Sequence, residues 1–120
     1  MSFPFQLGAL LHEGKAKRVY ATDRPGVLAV EFKDDATAFN AAKKASLVGK
    51  GELNCRISAL LFDHLASRGL PSHHLGLLGP GWLAARSVAI VPLEVVIRNR
   101  AAGSLCRQLP VAAGTPLDPP

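Results

Sequence analysis

The apolar positions change rhythm along the chain, and each rhythm predicts an element. From Lys15 to Ala21, Lys15, Lys17 and Val19 alternate with Ala16, Arg18 and Tyr20, an imperfect two-residue period that predicts a strand. Asp23-Arg24-Pro25-Gly26 reads as a turn, because proline presets φ and glycine permits φ > 0. Val27 to Lys33 is a second strand, and the pair predicts an antiparallel hairpin. Asp34 to Gly51 is polar and small, which fits both a functional loop and a flexible connector.

The period then lengthens. Leu53, Ile57, Leu60, Leu61 and Leu65 recur at helical spacing and predict a helix from Glu52 to Arg68 with that face inward. Gly69 is its stop signal and Pro71 lies just beyond. Trp82 to Ile90 and Leu93 to Ile97 read as strands separated by Pro92. Arg100 to Leu109 reads as a short helix weakened by Gly103. Strand, strand, helix, strand, strand, short helix predicts an α+β fold, a twisted antiparallel sheet backed by one main helix.

Composition narrows the function classes. A chain of 120 residues suits one domain, and 48% apolar residues suffice for a core. Charged residues reach only 19% and mean hydropathy is +0.19, which predicts a surface meant for covering. Fourteen Lys and Arg against nine Asp and Glu give a net charge of +5, which suits anionic partners. No apolar run reaches the length of a membrane span, and the opening Met-Ser-Phe-Pro-Phe-Gln lacks signal-peptide features. Two cysteines, Cys55 and Cys106, are too few for a disulfide framework or a zinc site, so a cytoplasmic location and buried apolar roles are expected. Nucleic acid is not an expected partner: no aromatic recognition strand, helix-turn-helix or zinc finger occurs, and aromatics are 6%.

Two stretches carry candidate chemistry. In Glu13-Gly14-Lys15-Ala16-Lys17, a glycine permits close backbone approach, and lysines two apart share one side of a strand. That suits a polyphosphate, although the P-loop spacing is absent and a solvated strand face is the commoner outcome. In Pro92 to Ser104, an apolar strand delivers Arg98, Asn99 and Arg100, followed by Gly103-Ser104. Arginine forks and a hydroxyl would grip a phosphate or carboxylate, while a strand end with solvated arginines fits equally. Glu94 falls on the Arg98 side and is expected to orient it by an ion pair. His73-His74 read as a surface loop. Asp34-Asp35 read as a turn and cap in preference to a Mg²⁺ site.

Four blocks in register carry a resemblance. They are Glu13 to Tyr20; Glu31 to Asn40; Gly49-Lys50-Gly51 with Asn54 and Arg56-Ile57-Ser58; and Pro92 to Leu105. Together they resemble the N-terminal part of the SAICAR synthetases, over nearly the whole chain. The resemblance implies an ATP-dependent carbon–nitrogen ligase of purine biosynthesis. That enzyme joins carboxyaminoimidazole ribonucleotide to L-aspartate with ATP and Mg²⁺; a homo-oligomer is compatible with the complete chain, and the sequence leaves the oligomeric state open. It implies that Lys15, Ala16 and Lys17 cover the nucleotide phosphates and that Val19 and Leu28 wall the adenine. Arg86, Val88 and Ile90 would lie in the hinge along the adenine edge. Arg98 and Ser104 would hold the ribonucleotide, with Asn40 bordering that site. Residues 1–90 would be the ATP-binding lobe of an ATP-grasp-like fold, and residues 91–120 the start of a second lobe.

The sequence departs from the family pattern at Ala41, where glycine is common, and at Cys55, in place of asparagine. Arg86-Ser87 stands in place of a lysine pair, and Pro110 in place of glycine. The family's Asp-x-Lys-x-Glu-Phe-Gly stretch and its metal-holding acidic residues are absent. The closing Gly-Thr-Pro-Leu-Asp-Pro-Pro reads as a linker leading onward. The expectation is therefore a truncated enzyme with no metal ligands of its own, no ligase activity alone and weak ATP binding. The alternative is a non-catalytic nucleotide- or anion-binding remnant.

Overall fold

A computed structural model describes residues 3–38 and 43–119. Contacts divide the chain into two compact units, Met1–Ala89 and Ile90–Pro120. In the first unit lie β1 (Leu7–Glu13), β2 (Lys17–Thr22), β3 (Val27–Phe32), β4 (Asp35–Ala38), β5 (Lys43–Ser46), α1 (Lys50–Ser67), β6 (His74–Gly79) and β7 (Trp82–Arg86). The second holds α2 (Ser104–Gln108).

The main sheet has five strands in the order β1-β2-β3-β7-β6, with every neighbouring pair antiparallel. The expected hairpin forms between β2 and β3. Gly26 takes φ 75°, and the Thr22 hydroxyl donates to the Val27 carbonyl at 2.8 Å, closing the turn that proline and glycine mark. Register assigns the faces. Lys17 pairs with Phe32, Val19 with Val30 and Ala21 with Leu28, while Val30 and Leu28 pair in turn with Leu83 and Ala85. Since side chains alternate, these residues share one face, here called inner. Arg18, Tyr20, Glu31, Trp82 and Ala84 share the outer face.

The inner face carries the core. Val30, Phe32, Leu83, Ala85 and Cys55 form its buried cluster, with Val19 packed against it. The main helix backs the sheet as expected, but through a different stripe. Gly51, Cys55 and Ala59, four residues apart, are its buried positions. Leu53, Ile57, Leu60, Leu61 and Leu65, expected inward, are exposed. The reason is the distance of approach. A Cβ on Gly51 would collide with the Phe32 carbonyl oxygen and lie 2.9 Å from its carbon, so only a small-residue stripe fits against β3.

The Asp34 carboxylate accepts hydrogen bonds from the Gly51 amide at 2.7 Å and the Gly49 amide at 3.3 Å, satisfying donors at the helix start. At the other end Gly69 takes φ 77°. The Leu70 amide donates to the Leu65 carbonyl and the Gly69 amide to the Ala66 carbonyl, each at 3.0 Å, the double bond of a glycine-terminated helix.

Several expectations are corrected. The apolar start is a strand, β1, whose register slips between Leu7 and His12, so no clean alternation marks it. Lys15 precedes β2 and lies in a turn. The polar stretch after Asp34 holds the hairpin β4–β5, and Asn40 and Ala41 lie outside the described residues. His74 is not in a surface loop: it opens β6, its side chain is only 6% exposed, and it stacks on Phe62 with ring centroids 5.5 Å apart. The strand from Trp82 ends at Arg86, short of Ile90. Leu93 to Ile97 joins no ladder, because no described strand of its unit offers a neighbouring edge.

The second unit is stitched by its own backbone. The Ala101 amide donates to the Thr115 carbonyl at 2.8 Å, and the Leu117 amide to the Asn99 carbonyl at 2.9 Å. The short helix therefore starts only at Ser104, after Gly103 at φ 58°. Among the described residues no helix is long and apolar enough to cross a membrane.

Candidate functional site

Gly14, Lys15 and Ala16 connect β1 to β2 in a tight turn. The Gly14 amide donates to the Lys17 carbonyl and the Lys33 amide to the Ala16 carbonyl, both at 2.8 Å. Gly14 is not at positive φ, and a Cβ there would find its nearest neighbours at 3.8 and 3.9 Å. Folding therefore does not require glycine at this position, and the bare backbone is left for a ligand to approach. Lys17 follows on the inner face, its ammonium 4.9 Å from the Phe32 ring centroid. Among the described residues neither Lys15 nor Lys17 lies within ion-pair distance of a carboxylate.

Beyond Lys17 the inner face continues with Val19 and Leu28, both half-buried. These two and Lys17 are thus brought together on one surface, with Lys15 and Ala16 in the adjoining turn. Arg86 pairs with Val27, so its side chain belongs to the outer face, opposite Leu28. Val88 is exposed after β7, and Ile90 falls in the second unit.

Arg98 and Ser104 come together within the second unit. With Val96, Leu105, Gln108 and Leu117 they line a cleft of about 350 Å³. The backbone at Gly103 passes close to Arg98: a Cβ there would lie 3.8 Å from one terminal nitrogen. Arg98 is half-buried, yet its guanidinium has no hydrogen-bond or ion-pair partner among the described residues, and the expected pair with Glu94 does not form. Arg100 by contrast donates to the Gly114 carbonyl at 2.9 Å and serves the local fold. A half-buried, unpaired guanidinium beside a hydroxyl is suited to a phosphate or carboxylate. Gln108 escaped the sequence reading. Its signal was the four-residue spacing from Ser104, which puts both on one side of α2.

Two cations of the outer face near the glycine turn, Lys33 and Arg18, are spent. Lys33 reaches Asp35 at 2.7 Å and Glu13 at 2.8 Å, and Arg18 reaches Glu13 at 3.0 Å and Glu31 at 3.2 Å. Lys33 and Arg18 together hold the Glu13 carboxyl below its usual range, and Lys33 does the same for Asp35. Asp35 and then Glu13 raise the Lys33 ammonium. Burial, then the bond to Glu31, raises the Tyr20 phenol. Burial also raises the Cys55 thiol, which suits its place in the core. Asp34 caps the helix and Asp35 is paired, so this adjacent carboxylate pair does not fit Mg²⁺. Among the described residues no group of three or more potential ligands is gathered for a metal.

Comparison with known proteins gives the family of the chain. A family model described as SAICAR synthetase matches residues 10–120. The phosphoribosylaminoimidazole-succinocarboxamide synthase of Parasynechococcus marenigrum is 62% identical over 112 residues, covering 93% of this chain and 45% of that protein. Its counterpart in Prochlorococcus marinus (strain MIT 9303) is 61% identical over 112 residues, with 93% and 46% covered. Among solved structures, a SAICAR synthetase (Type-2) in complex with ADP superposes with a TM-score of 0.77 at 42% identity, covering 93% of this chain and 46% of that one. The Ehrlichia chaffeensis enzyme gives 0.78 at 40% identity, with 91% and 46% covered. The chain spans under half the length of these relatives. By its matched residues, its sheet and its helix, the chain belongs to the SAICAR synthetase family.

Proposed function

We propose that this chain supplies the nucleotide-phosphate and ribonucleotide contacts of an ATP-dependent ligase that joins carboxyaminoimidazole ribonucleotide to L-aspartate. The observation that carries the reading is the placement of unpaired cations. Lys15 and Lys17 stand free at the edge of a half-open apolar face, and Arg98 stands free in its cleft, while Lys33 and Arg18 are consumed by ion pairs. Val19 and Leu28 offer the apolar surface for adenine, and Lys15, Lys17 and the bare Gly14 backbone face its phosphates. The ADP complex of a family member at 42% identity supports this assignment. Arg98 and Ser104 hold the ribonucleotide, with Gln108 as a further donor.

The chemistry explains why cations are needed. A carboxylate resists an amine until one of its oxygens becomes a leaving group. Transfer of the terminal phosphoryl of ATP makes that oxygen part of an acyl phosphate, and the aspartate amine then displaces phosphate. Lysines around the transferred group offset its crowded negative charge. Mg²⁺ would add to that offset, but the residues described offer no set to hold it. Residues 1–90 act as the ATP-binding lobe of an ATP-grasp-like fold and residues 91–120 as the start of the next, in a cytoplasmic enzyme. The 120-residue chain alone binds nucleotide weakly and does not ligate.

Titration calorimetry with ADP and adenosine tests the assignment. A charge-assisted hydrogen bond contributes about 1.5–3 kcal/mol, so Lys17→Ala is expected to weaken ADP at least roughly tenfold and leave adenosine unchanged. Equal affinity of the wild-type chain for ADP and adenosine would overturn it. Aspartate-dependent phosphate release by the purified chain would overturn the claim that it cannot ligate.

A further inference from the structure

Behind the glycine turn, on the outer face, the charged side chains form one continuous chain. Asp35 meets Lys33 at 2.7 Å, Lys33 meets Glu13 at 2.8 Å, and Glu13 meets Arg18 at 3.0 Å. Arg18 meets Glu31 at 3.2 Å, which accepts the Tyr20 hydroxyl at 3.1 Å. The links tie the last residue of β1, the first turn of β2, the end of β3 and the start of β4. Lys33 is the node. Its side chain is only 10% exposed, its ammonium also lies 3.4 Å from the Gly14 carbonyl, and its own amide holds the Ala16 carbonyl. It thus grips the turn at Glu13, at Gly14 and at Ala16.

Isolated exposed ion pairs contribute little, because solvent screens them and side-chain entropy opposes them. This node differs in its side-chain entropy and in the number of its links, although the Glu13 and Asp35 carboxylates are 42% and 51% exposed. The Lys33 stem is already immobilised by burial, and two carboxylates and a carbonyl converge on one ammonium. Apart from two backbone hydrogen bonds, from the Gly14 amide to the Lys17 carbonyl and from the Lys33 amide to the Ala16 carbonyl, the turn is held by little packing: a Cβ at Gly14 would meet only loose contacts at 3.8 and 3.9 Å, and Lys15 is exposed. We propose that Lys33 is a positioning residue that braces the Gly14–Ala16 turn from the outer face, so that the two lysines without a carboxylate partner, Lys15 and Lys17, are preset for a ligand's phosphates. The inference rests on the phosphate role assigned to that turn. It adds that specificity for the phosphates is set by a lysine on the opposite side of the sheet.

Amide hydrogen exchange on the 120-residue chain reads the brace without any ligand. In Lys33→Met, exchange at Gly14 should quicken at least tenfold while the core amides of Val30 and Leu83 keep their rates. Lys33→Arg, which keeps the charge, should restore most of the protection. Glu13→Gln keeps the shape and loses one link, so it should give the same pattern to a smaller degree; it decides the matter if Lys33→Met does not fold. Calorimetry then reads the consequence: Lys33→Met should weaken ADP about tenfold and leave adenosine unchanged. Unchanged exchange at Gly14, or exchange quickened equally at Val30 and Leu83, overturns the brace. If the wild-type chain shows no preference for ADP over adenosine, the phosphate reading fails, while the exchange data still decide whether Lys33 orders the turn.

Discussion

Two glycines show how one residue type does different work at the residue scale. Gly51 is required by packing, since a Cβ there would collide with the Phe32 carbonyl. Gly51→Ala should therefore destabilise the chain by about 1–3 kcal/mol in denaturant unfolding, the usual cost of overpacking a tight site. Gly14 has room for a methyl. Gly14→Ala should leave stability within about 0.5 kcal/mol of wild type, as surface changes do, yet weaken ADP binding. That split separates a glycine kept for folding from one kept for a ligand. The thiols divide in the same way. Cys55 is fully buried with a raised pKa, so it should resist thiol reagents until the chain unfolds, whereas half-buried Cys106 should react in the native state.

Elements depend on what they pack against, and that decides which of them the sequence revealed. The β2–β3 hairpin was legible because its turn residues and its alternation agree. The main helix was legible as a helix but not in its orientation. Its strongest apolar stripe, Leu53 to Leu65, is exposed, and the weaker stripe of Gly51, Cys55 and Ala59 faces the sheet. Periodicity ranks faces by apolarity, whereas packing here ranks them by size. Leu60→Gln should thus cost less than about 0.5 kcal/mol in this chain, while a true core leucine truncation costs roughly 2–5 kcal/mol. Asp34-Asp35 read as a turn and cap at a strand end, but that Asp34 caps α1 was not legible, because the Gly49 and Gly51 amides it meets lie 15 and 17 residues further along the chain. Asp34→Ala should cost about 1 kcal/mol, with the loss located at the α1 N-terminus by exchange. Strands β1 and β6 were not legible: a register slip breaks alternation in the first, and Gly76 interrupts the second.

Across the whole molecule, charge is sorted by use. Around the glycine turn, the paired cations Lys33 and Arg18 hold the strand ends together on the outer face, while Lys15, Lys17 and, in its own cleft, Arg98 have no carboxylate partner among the described residues. Each of these cations was visible in the sequence, but their sorting was not, since it depends on which strand pairs with which. The sorting sets a pH window. Glu13 and Asp35 are depressed, so their contribution is complete above the ordinary carboxylate range, about 4, and fades as pH falls through their lowered values. Lys33 is raised, so its contribution is complete below about 10.4 and is lost only as pH climbs past its raised value. The difference in melting temperature between wild type and Lys33→Met should be constant from about pH 5 to 10 and shrink progressively below about pH 4.

The measurement that bears most directly on the account is an amide NMR titration of the chain with ADP. The account predicts shifts centred on Gly14, Lys15, Ala16, Lys17, Val19 and Leu28, smaller with adenosine at the turn and lost there in Lys17→Ala. Shifts confined to the outer-face residues Arg18, Glu31 and Trp82, or none at the turn with saturating ADP, would contradict it.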